Sequence, residues 1–237
     1  ANCLVGSEMC IRDREIISFD KLDRHKYIAN LFNGPTYAFK DFALQLLGNI
    51  YDYVLKKRKI KLTILGATSG DTGSAAIHGC AKSNNVKIFI LFPLNRVSEI
   101  QRKQMTTVKK KNVFNIAVKG NFDDCQRMVK NYFKLNNENK KINLAAVNSI
   151  NWVRIMGQIV YYFWSYFRVS TKFDPMSFVV PSGNFGNAYA GYLSKKMGLP
   201  IKKIIIGSNK NDNLTRFFKT GKMEIKKTLT SLSPSMD

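Results

Sequence analysis

Lys40 is the residue of this sequence whose surroundings most favour nucleophilic chemistry. It lies between Phe39 and Phe42, where a helix is predicted to begin, and apolar surroundings and the positive end of a helix both disfavour a charged ammonium group. A lysine that loses its proton can attack an aldehyde and form a Schiff base. Most lysines beside aromatic residues merely extend past them to solvent, so this position alone leaves both interpretations open.

Two loops of small residues each follow a short apolar run and precede an amphipathic one. Residues 66–74 read Gly-Ala-Thr-Ser-Gly-Asp-Thr-Gly-Ser, and residues 181–187 read Pro-Ser-Gly-Asn-Phe-Gly-Asn. At the carboxyl ends of parallel strands, such glycines let the backbone approach an anion, and the next helix offers free N–H groups. Ordinary tight turns are the alternative interpretation. Neither loop has a Walker A ending or the spacing of a dinucleotide fingerprint.

The chain from residue 60 onward alternates apolar runs with amphipathic stretches, which predicts strands and helices in turn. Strands are predicted at residues 62–66, 87–92, 114–118, 144–147, 178–180 and 203–207. Helices are predicted at residues 41–56, 74–82, 98–109, 122–133, 151–168 and 187–197. Strands that are apolar throughout favour parallel pairing with both sheet faces covered. The predicted fold class is therefore α/β, with parallel doubly wound sheets and flanking helices.

The composition is strongly basic, because 38 Lys and Arg residues stand against 16 Asp and Glu residues, a formal charge of +22. Phosphate contacts need cations, so a nucleic-acid-binding α/β domain is one interpretation. The basic residues are spread over the whole chain, however, and they are mostly lysine rather than the forked arginine of nucleic-acid recognition. We therefore predict no nucleic-acid partner.

Metal, disulfide and membrane functions also find little support in the sequence. Four cysteines form no Cys-x-x-Cys pair and only two histidines are present, so we predict no metal site. The most apolar stretch, residues 155–167, is bracketed by Arg154 and Arg168 and is too short for a bilayer. It predicts a buried helix and no membrane partner. A reducing, cytoplasmic location is the default expectation.

The first 14 residues show neither a helical nor a strand period. They resemble a translated linker or an assembly artefact, and a genuine, poorly ordered terminus is the alternative. We exclude residues 1–14 from fold reasoning and interpret residues 15–237.

Taken in order, the chemical segments resemble the threonine synthase family. The matching stretches are Gly34-Pro35-Thr36-x-Ala38-Phe39-Lys40-Asp41, residues 67–73 and residues 182–187, with further agreement at residues 96–105, 120–126, 147–152 and 233–237. Members of this family are pyridoxal-phosphate enzymes of the tryptophan-synthase-β fold type (fold type II). The resemblance runs from Ile16 to Asp237 and covers only the middle of a family chain. Residues 15–237 are therefore predicted to be the central part of an incomplete catalytic region.

The resemblance implies how the cofactor, pyridoxal 5′-phosphate, would be held. Lys40 would carry it as an internal aldimine and would then move protons at the substrate Cα. Asp71 would lie near the 3′-oxygen of the cofactor. The cofactor phosphate would be bound by the loop residues Gly183, Asn184, Phe185, Gly186 and Asn187.

The resemblance also implies a reaction, the conversion of O-phosphohomoserine and water to threonine and phosphate. The residues implied for the substrate carboxylate are Ser69, Gly70 and Thr72. The candidates for the substrate phosphate are Asn148, Ser149, Asn151 and Arg154. The alternative to phosphate binding by this last group is that its residues cap a helix and that Arg154 faces solvent. The partner is then a small molecule, and the enzyme would be a monomer or a homodimer.

Two departures from the family pattern bear on activity. Asn33 stands where the family usually has His, and Asn cannot carry a proton near neutral pH. The family's partner for the pyridine nitrogen lies in the C-terminal part that the resemblance does not cover. We therefore predict an active parent gene product and an inactive chain on its own. The remaining alternatives are another fold-type II lyase, such as a threonine dehydratase or a cysteine synthase, and an inactive homologue.

Overall fold

A computed structural model describes residues 16–139, 142–149, 151–224, 228–229 and 231–233, so the expectation for residues 1–14 lies outside the described residues. The strands in these ranges are β1 (Ser18–Lys21), β2 (Tyr27–Asn30), β3 (Leu62–Ala67), β4 (Val86–Pro93), β5 (Val113–Val118), β6 (Leu144–Ala145), β7 (Met176–Pro181) and β8 (Ile201–Gly207). The helices are α1 (Lys40–Arg58), α2 (Asp71–Cys80), α3 (Glu99–Thr106), α4 (Phe122–Asn139), α5 (Trp152–Val169), α6 (Gly186–Lys196) and α7 (Asn213–Thr220).

Four strands form a parallel sheet in the order β5-β4-β3-β6. Successive residues of a strand point to opposite faces, and helices cover both faces here. Ile64 and Ile88 belong to a core that includes α1, α2 and Met105 of α3. Leu65 and Leu91 lie on the other face with Cys125 of α4. This arrangement confirms the predicted doubly wound α/β class.

Strands β7 and β8 pair in parallel as a second sheet, with Val180 opposite Ile206. Helices α5 and α6 pack against this pair through a second core, in which Tyr166 and Ala190 are fully buried. The chain leaves the carboxyl ends of β3 and β7 directly into the two small-residue loops, and α2 and α6 begin there. The loops therefore lie where α/β proteins bind ligands.

Helix α1 packs against both α2 and α5 and so connects the two cores. The backbones of α1 and α2 touch, because a Cβ on Gly48 would lie 2.0 Å from the carbonyl oxygen of Gly79. Helix α5 also packs closely on α1, since a Cβ on Gly157 would lie 2.9 Å from the Cα of Ala43. These contacts fix how α1, which begins at Lys40, lies against the two helices that carry Asp71 and Arg154.

Two parts of the fold differ from the sequence prediction. Strands β1 and β2 pair antiparallel, with Ser18 opposite Asn30, whereas only parallel pairing was predicted. Both are four residues long and largely exposed, so no apolar run marks them. Helix α7 was not predicted either, because Leu214 is its only buried residue and the segment lacks a long apolar stripe. In the described part of the chain, no helix combines the length and the apolar character needed to cross a membrane.

Replacing Gly79 by Ala is expected to destabilise the fold by about 1–3 kcal/mol, the usual cost of overpacking. The new methyl group would lie 2.4 Å from the carbonyl oxygen of Leu44, so α1 and α2 would have to separate. The better helix propensity of Ala offsets about 1 kcal/mol at most. Chemical denaturation measures the change, and Gly207→Ala is the matched control, since a Cβ there meets nothing nearer than 3.7 Å. A loss no larger at Gly79 than at Gly207 would argue against the tight helix contact.

Candidate active site

Lys40 is the first residue of α1, and only 6% of its surface is exposed. Its Nζ donates a hydrogen bond to Oδ2 of Asp71 at 2.8 Å and lies 5.2 Å from the centre of the Phe39 ring. Burial lowers the pKa of Lys40, Asp71 opposes this effect, and the charge of Arg154 lowers the pKa further. The net decrease favours the neutral, nucleophilic amine. The structure therefore excludes the interpretation that Lys40 merely extends to solvent.

Asp71 is held by a loop with a specific backbone conformation. Oγ1 of Thr68 accepts hydrogen bonds at 2.9 Å from the N–H groups of Gly70 and Gly73. Gly70 has φ +145°, which residues with side chains rarely adopt. The other predicted substrate residues of this loop, Ser69 and Thr72, are both partly exposed. The loop thus presents Asp71 at the positive end of α2, where a carboxylate is stabilised.

Helix α3 reaches the site through two glutamines that the sequence reasoning did not select. Nε2 of Gln101 donates a hydrogen bond to Oδ1 of Asp71. Nε2 of Gln104 donates to the backbone carbonyl of Thr36 at 3.0 Å. Thr36 in turn donates its N–H and its hydroxyl to the buried Asp41, at 2.8 and 2.7 Å. Helix α3 is therefore joined both to the start of α2 and to the segment that precedes α1.

The loop before α6 has the form of an anion site. Phe185 adopts φ +65° just before the helix begins at Gly186. Within the described part of the chain, the backbone N–H groups of Gly183, Asn184 and Phe185 have no hydrogen-bond acceptor. Free N–H groups at a helix N-terminus bind phosphate readily.

A separate apolar cavity of about 840 Å³, between α6, β8 and α7, shares Phe185 with this loop but does not include Lys40.

Two buried tyrosines of α5 fix Asn187, the last residue of the predicted phosphate loop. The hydroxyl of Tyr161 donates to Oδ1 of Asn187 at 2.7 Å, and the hydroxyl of Tyr162 donates to its backbone carbonyl at 2.9 Å. Burial raises the pKa of both phenols, so they remain neutral donors. Gly191 makes room for the Tyr162 ring, because a Cβ there would lie 2.8 Å from it. With its oxygen occupied, the Asn187 side chain is left with its NH₂ group to offer a ligand.

The segment before α5 joins the phosphate loop to Arg154. Nδ2 of Asn184 donates to Oγ of Ser149 at 2.9 Å. Asn151 caps α5, since its Oδ1 accepts from the N–H of Val153 at 3.0 Å. The cap alternative is therefore correct for Asn151. Its second half, a solvent-facing Arg154, is wrong, because Arg154 is only 2% exposed.

Arg154 is a buried cation that lacks an acidic partner among the described residues. Its Nη1 donates to the backbone carbonyl of Val147 at 2.8 Å, while its buried Nε has no acceptor there. Burial lowers the pKa of Arg154 to about 10, so the group stays charged at neutral pH. A buried charge is costly unless it is paired, and this one retains donors that could be directed at an anion.

The structure brings several of the predicted site residues together. Lys40 contacts Asp71, Arg154 acts electrostatically on Lys40, and Asn184 contacts Ser149. Asn148 is exposed, and Asn33, in place of the family His, is also exposed and donates to the backbone carbonyl of Ile16 at 3.4 Å. The residues missed by sequence reasoning are Gln101, Gln104, Tyr161 and Tyr162. For the two glutamines a signal existed, because both lie in the matching stretch 96–105.

The chain belongs to the family of pyridoxal-phosphate dependent enzymes, whose sequence profile matches residues 20–237. It is 54% identical over 217 residues to the threonine synthase of Pseudomonas aeruginosa. The aligned region covers 92% of this chain and 46% of that protein. It is 50% identical to the threonine synthase of Saccharomyces cerevisiae, covering 93% of this chain and 45% of that protein. A crystal structure of PLP-bound threonine synthase from Brucella melitensis superposes with a TM-score of 0.86 at 47% identity, covering 94% of this chain and 48% of that one.

These relatives confirm the family resemblance and the cofactor class that the sequence predicted. The chain spans about half the length of the relatives that it matches.

Proposed function

We propose that this chain is the lysine-bearing part of a threonine synthase, which converts O-phosphohomoserine and water to L-threonine and phosphate. The observation that carries this proposal is a buried lysine, paired with Asp71, beside a buried arginine that has no acidic partner in the described residues. The lysine can hold a carbonyl cofactor, and the arginine can hold a phosphorylated substrate. Their proximity supports a reaction that needs both.

The residues present fit pyridoxal 5′-phosphate. Lys40 would hold its aldehyde carbon, and the free N–H groups of Gly183, Asn184 and Phe185, with Gly186 and Asn187, would hold its phosphate. When bound, the cofactor supplies an electron sink for negative charge at the substrate Cα. Asp71 would keep the Lys40 amine oriented, and Lys40 would take and return protons at that carbon.

Arg154 and Ser149 would bind the substrate phosphate, which is the leaving group at Cγ. A guanidinium offers two parallel donors to a phosphate, which suits it to this position. Ser69, Gly70 and Thr72 would receive the substrate carboxylate close to the start of α2. The exposed Asn148 would lie at the rim of the phosphate site, and Asn151 would hold the start of α5 as its cap. This division of roles separates the two ends of the substrate. It leaves Cα beside Lys40.

We further propose a cytoplasmic enzyme that acts as a monomer or a homodimer. Cys80 and Cys125 are free and buried, in agreement with a reducing compartment.

Borohydride reduction of the chain after incubation with pyridoxal 5′-phosphate, followed by peptide mass mapping, tests the cofactor assignment. We expect a phosphopyridoxyl group on Lys40 and little on Lys56, an exposed lysine of α1 that serves as the internal control. Labelling spread over surface lysines, on a chain that circular dichroism shows to be folded, would refute the assignment of Lys40.

The substrate assignment is tested by offering O-phosphohomoserine, threonine and O-acetylserine in parallel. Phosphate and threonine formed from the first would support a threonine synthase. Ammonia released from threonine, without phosphate from O-phosphohomoserine, would favour a threonine dehydratase instead. Trapping on Lys40 without turnover of any substrate would favour a cofactor-binding but incomplete catalytic unit.

A further inference from the structure

Gln101 occupies a position that folding alone does not explain. Its Oε1 is buried and has no hydrogen-bond donor among the described residues. A buried acceptor without a donor costs free energy, so such groups are rare in folded proteins. The side chain also needs a glycine beside it, because a Cβ on Gly70 would lie 2.0 Å from Oε1. Both features indicate that this amide is placed for the contact made by its other end.

That contact is with the carboxylate that pairs with Lys40. Asp71 Oδ2 accepts from Lys40 and Oδ1 accepts from Gln101, so both oxygens of the carboxylate are held. The last torsion of an Asp side chain has only a broad preference, so contacts to both oxygens restrict the carboxylate more than one contact does. The backbone of Gln101 is itself fixed, since its N–H donates to the capping hydroxyl of Ser98 at 3.3 Å.

We propose that Gln101 is a positioning residue that holds the Asp71 carboxylate against the Lys40 amine and thereby sets how readily this lysine reacts with an aldehyde. The inference rests on the proposed function of Lys40, but it concerns a property of the chain without cofactor. Among the described residues, Gln101 and Lys40 each form a hydrogen bond to Asp71 and none to each other. Gln101 therefore acts on Lys40 through Asp71.

The charged groups that act on Lys40 come from two elements. Asp71 of α2 stabilises the ammonium form, and Arg154 of α5 disfavours it, while the Phe39 ring packs beside it. Loss of the Gln101 contact leaves the Asp71 carboxylate less firmly placed against Lys40, so it offsets the effects of burial and of Arg154 less well. The pKa of Lys40 then falls, because an opposite charge within hydrogen-bonding distance is what raises it.

Competitive labelling with isotopic formaldehyde and cyanoborohydride measures how the labelling rate of Lys40 rises with pH. The pH at which this rate is half its maximum is the midpoint, and Lys56 is the reference residue in every sample. For Gln101→Met, which keeps the length of the side chain without its donor, we expect the midpoint to fall by about one pH unit. The labelling rate below the midpoint then rises about tenfold. Gln101→Asn, which is too short to reach Asp71, should behave alike. Thr106→Ala, at an exposed position of the same helix, is the matched control and should leave the midpoint unchanged.

A double-mutant cycle separates positioning from general structural damage. Asp71→Asn should lower the midpoint further, and adding Gln101→Met to it should produce no additional shift, because the residue through which Gln101 acts is gone. An unchanged midpoint in Gln101→Met and Gln101→Asn, or an additive shift in the Asp71→Asn background, would overturn the inference. Failure of cofactor trapping on Lys40 would instead count against the proposed function, since formaldehyde labelling does not depend on the cofactor site.

Discussion

Replacing Lys40 by Arg is expected to abolish the covalent attachment of pyridoxal 5′-phosphate at this site while leaving the fold intact. The guanidinium keeps a positive charge opposite Asp71, so the ion pair observed at 2.8 Å has a substitute. It stays protonated at any usable pH and therefore offers no amine to an aldehyde. In the full-length parent protein, we expect this change to lower threonine formation at least about a thousandfold, which corresponds to about 4 kcal/mol of transition-state stabilisation.

Peptide mass mapping after borohydride reduction checks the loss of the adduct, and product analysis checks the loss of turnover. Lys56→Arg is the matched control, because Lys56 lies at the exposed end of the same helix and pairs with Asp52. A Lys40→Arg chain that still carries one equivalent of reduced cofactor at a single site would show that another lysine holds it. Since burial lowers the pKa of Lys40, trapping at this residue in the wild-type chain should also persist to lower pH than the reaction of a free lysine amine with the cofactor.

Most of the fold could be predicted because its strands are apolar on both faces and its helices are not. Strands β3 and β4 are buried between helix layers, so their continuous apolar runs are distinctive. The β1–β2 hairpin gains little from burial, and its sequence carries almost no signal. Helix α4 was predicted to end near residue 133 but continues to Asn139, because its last turns are polar and give no periodic stripe.

The candidate site could be predicted only as separate pieces. Lys40 and Asp71 are 31 positions apart, and their pairing depends on the close crossing of α1 and α2 at Gly48 and Gly79. The position of a glycine in the sequence does not reveal which backbone segment will pack against it. The burial of Arg154 could not be predicted either, since an arginine at the start of a helix is ordinarily exposed. Its depth follows from the packing of α5 on α1 through Gly157.

The second large effect is expected at Arg154, where substrate binding should be lost without a loss of stability. Arg154→Met removes a buried charge that has no acidic partner in the described chain, so the free energy of unfolding should stay equal or rise. The same change removes the forked donor for the substrate phosphate. Truncating a buried charged contact costs about 3 kcal/mol, so we expect affinity for O-phosphohomoserine to fall about a hundredfold.

Thermal unfolding with and without O-phosphohomoserine measures both effects in one experiment. The wild-type chain should gain stability from the ligand by mass action, and the Arg154→Met chain should not. Arg154→Lys keeps a charge without the fork and should bind with intermediate affinity. Arg168→Met, at the exposed end of the same helix, is the matched control and should keep the ligand response. A destabilised Arg154→Met chain that still responds to the ligand would make Arg154 a structural tie to Val147 rather than the phosphate ligand. An anion site requires a buried charge at this position, whereas a stable core is better without an unpaired one. The two measurements therefore decide whether Arg154 binds the substrate phosphate or stabilises the fold.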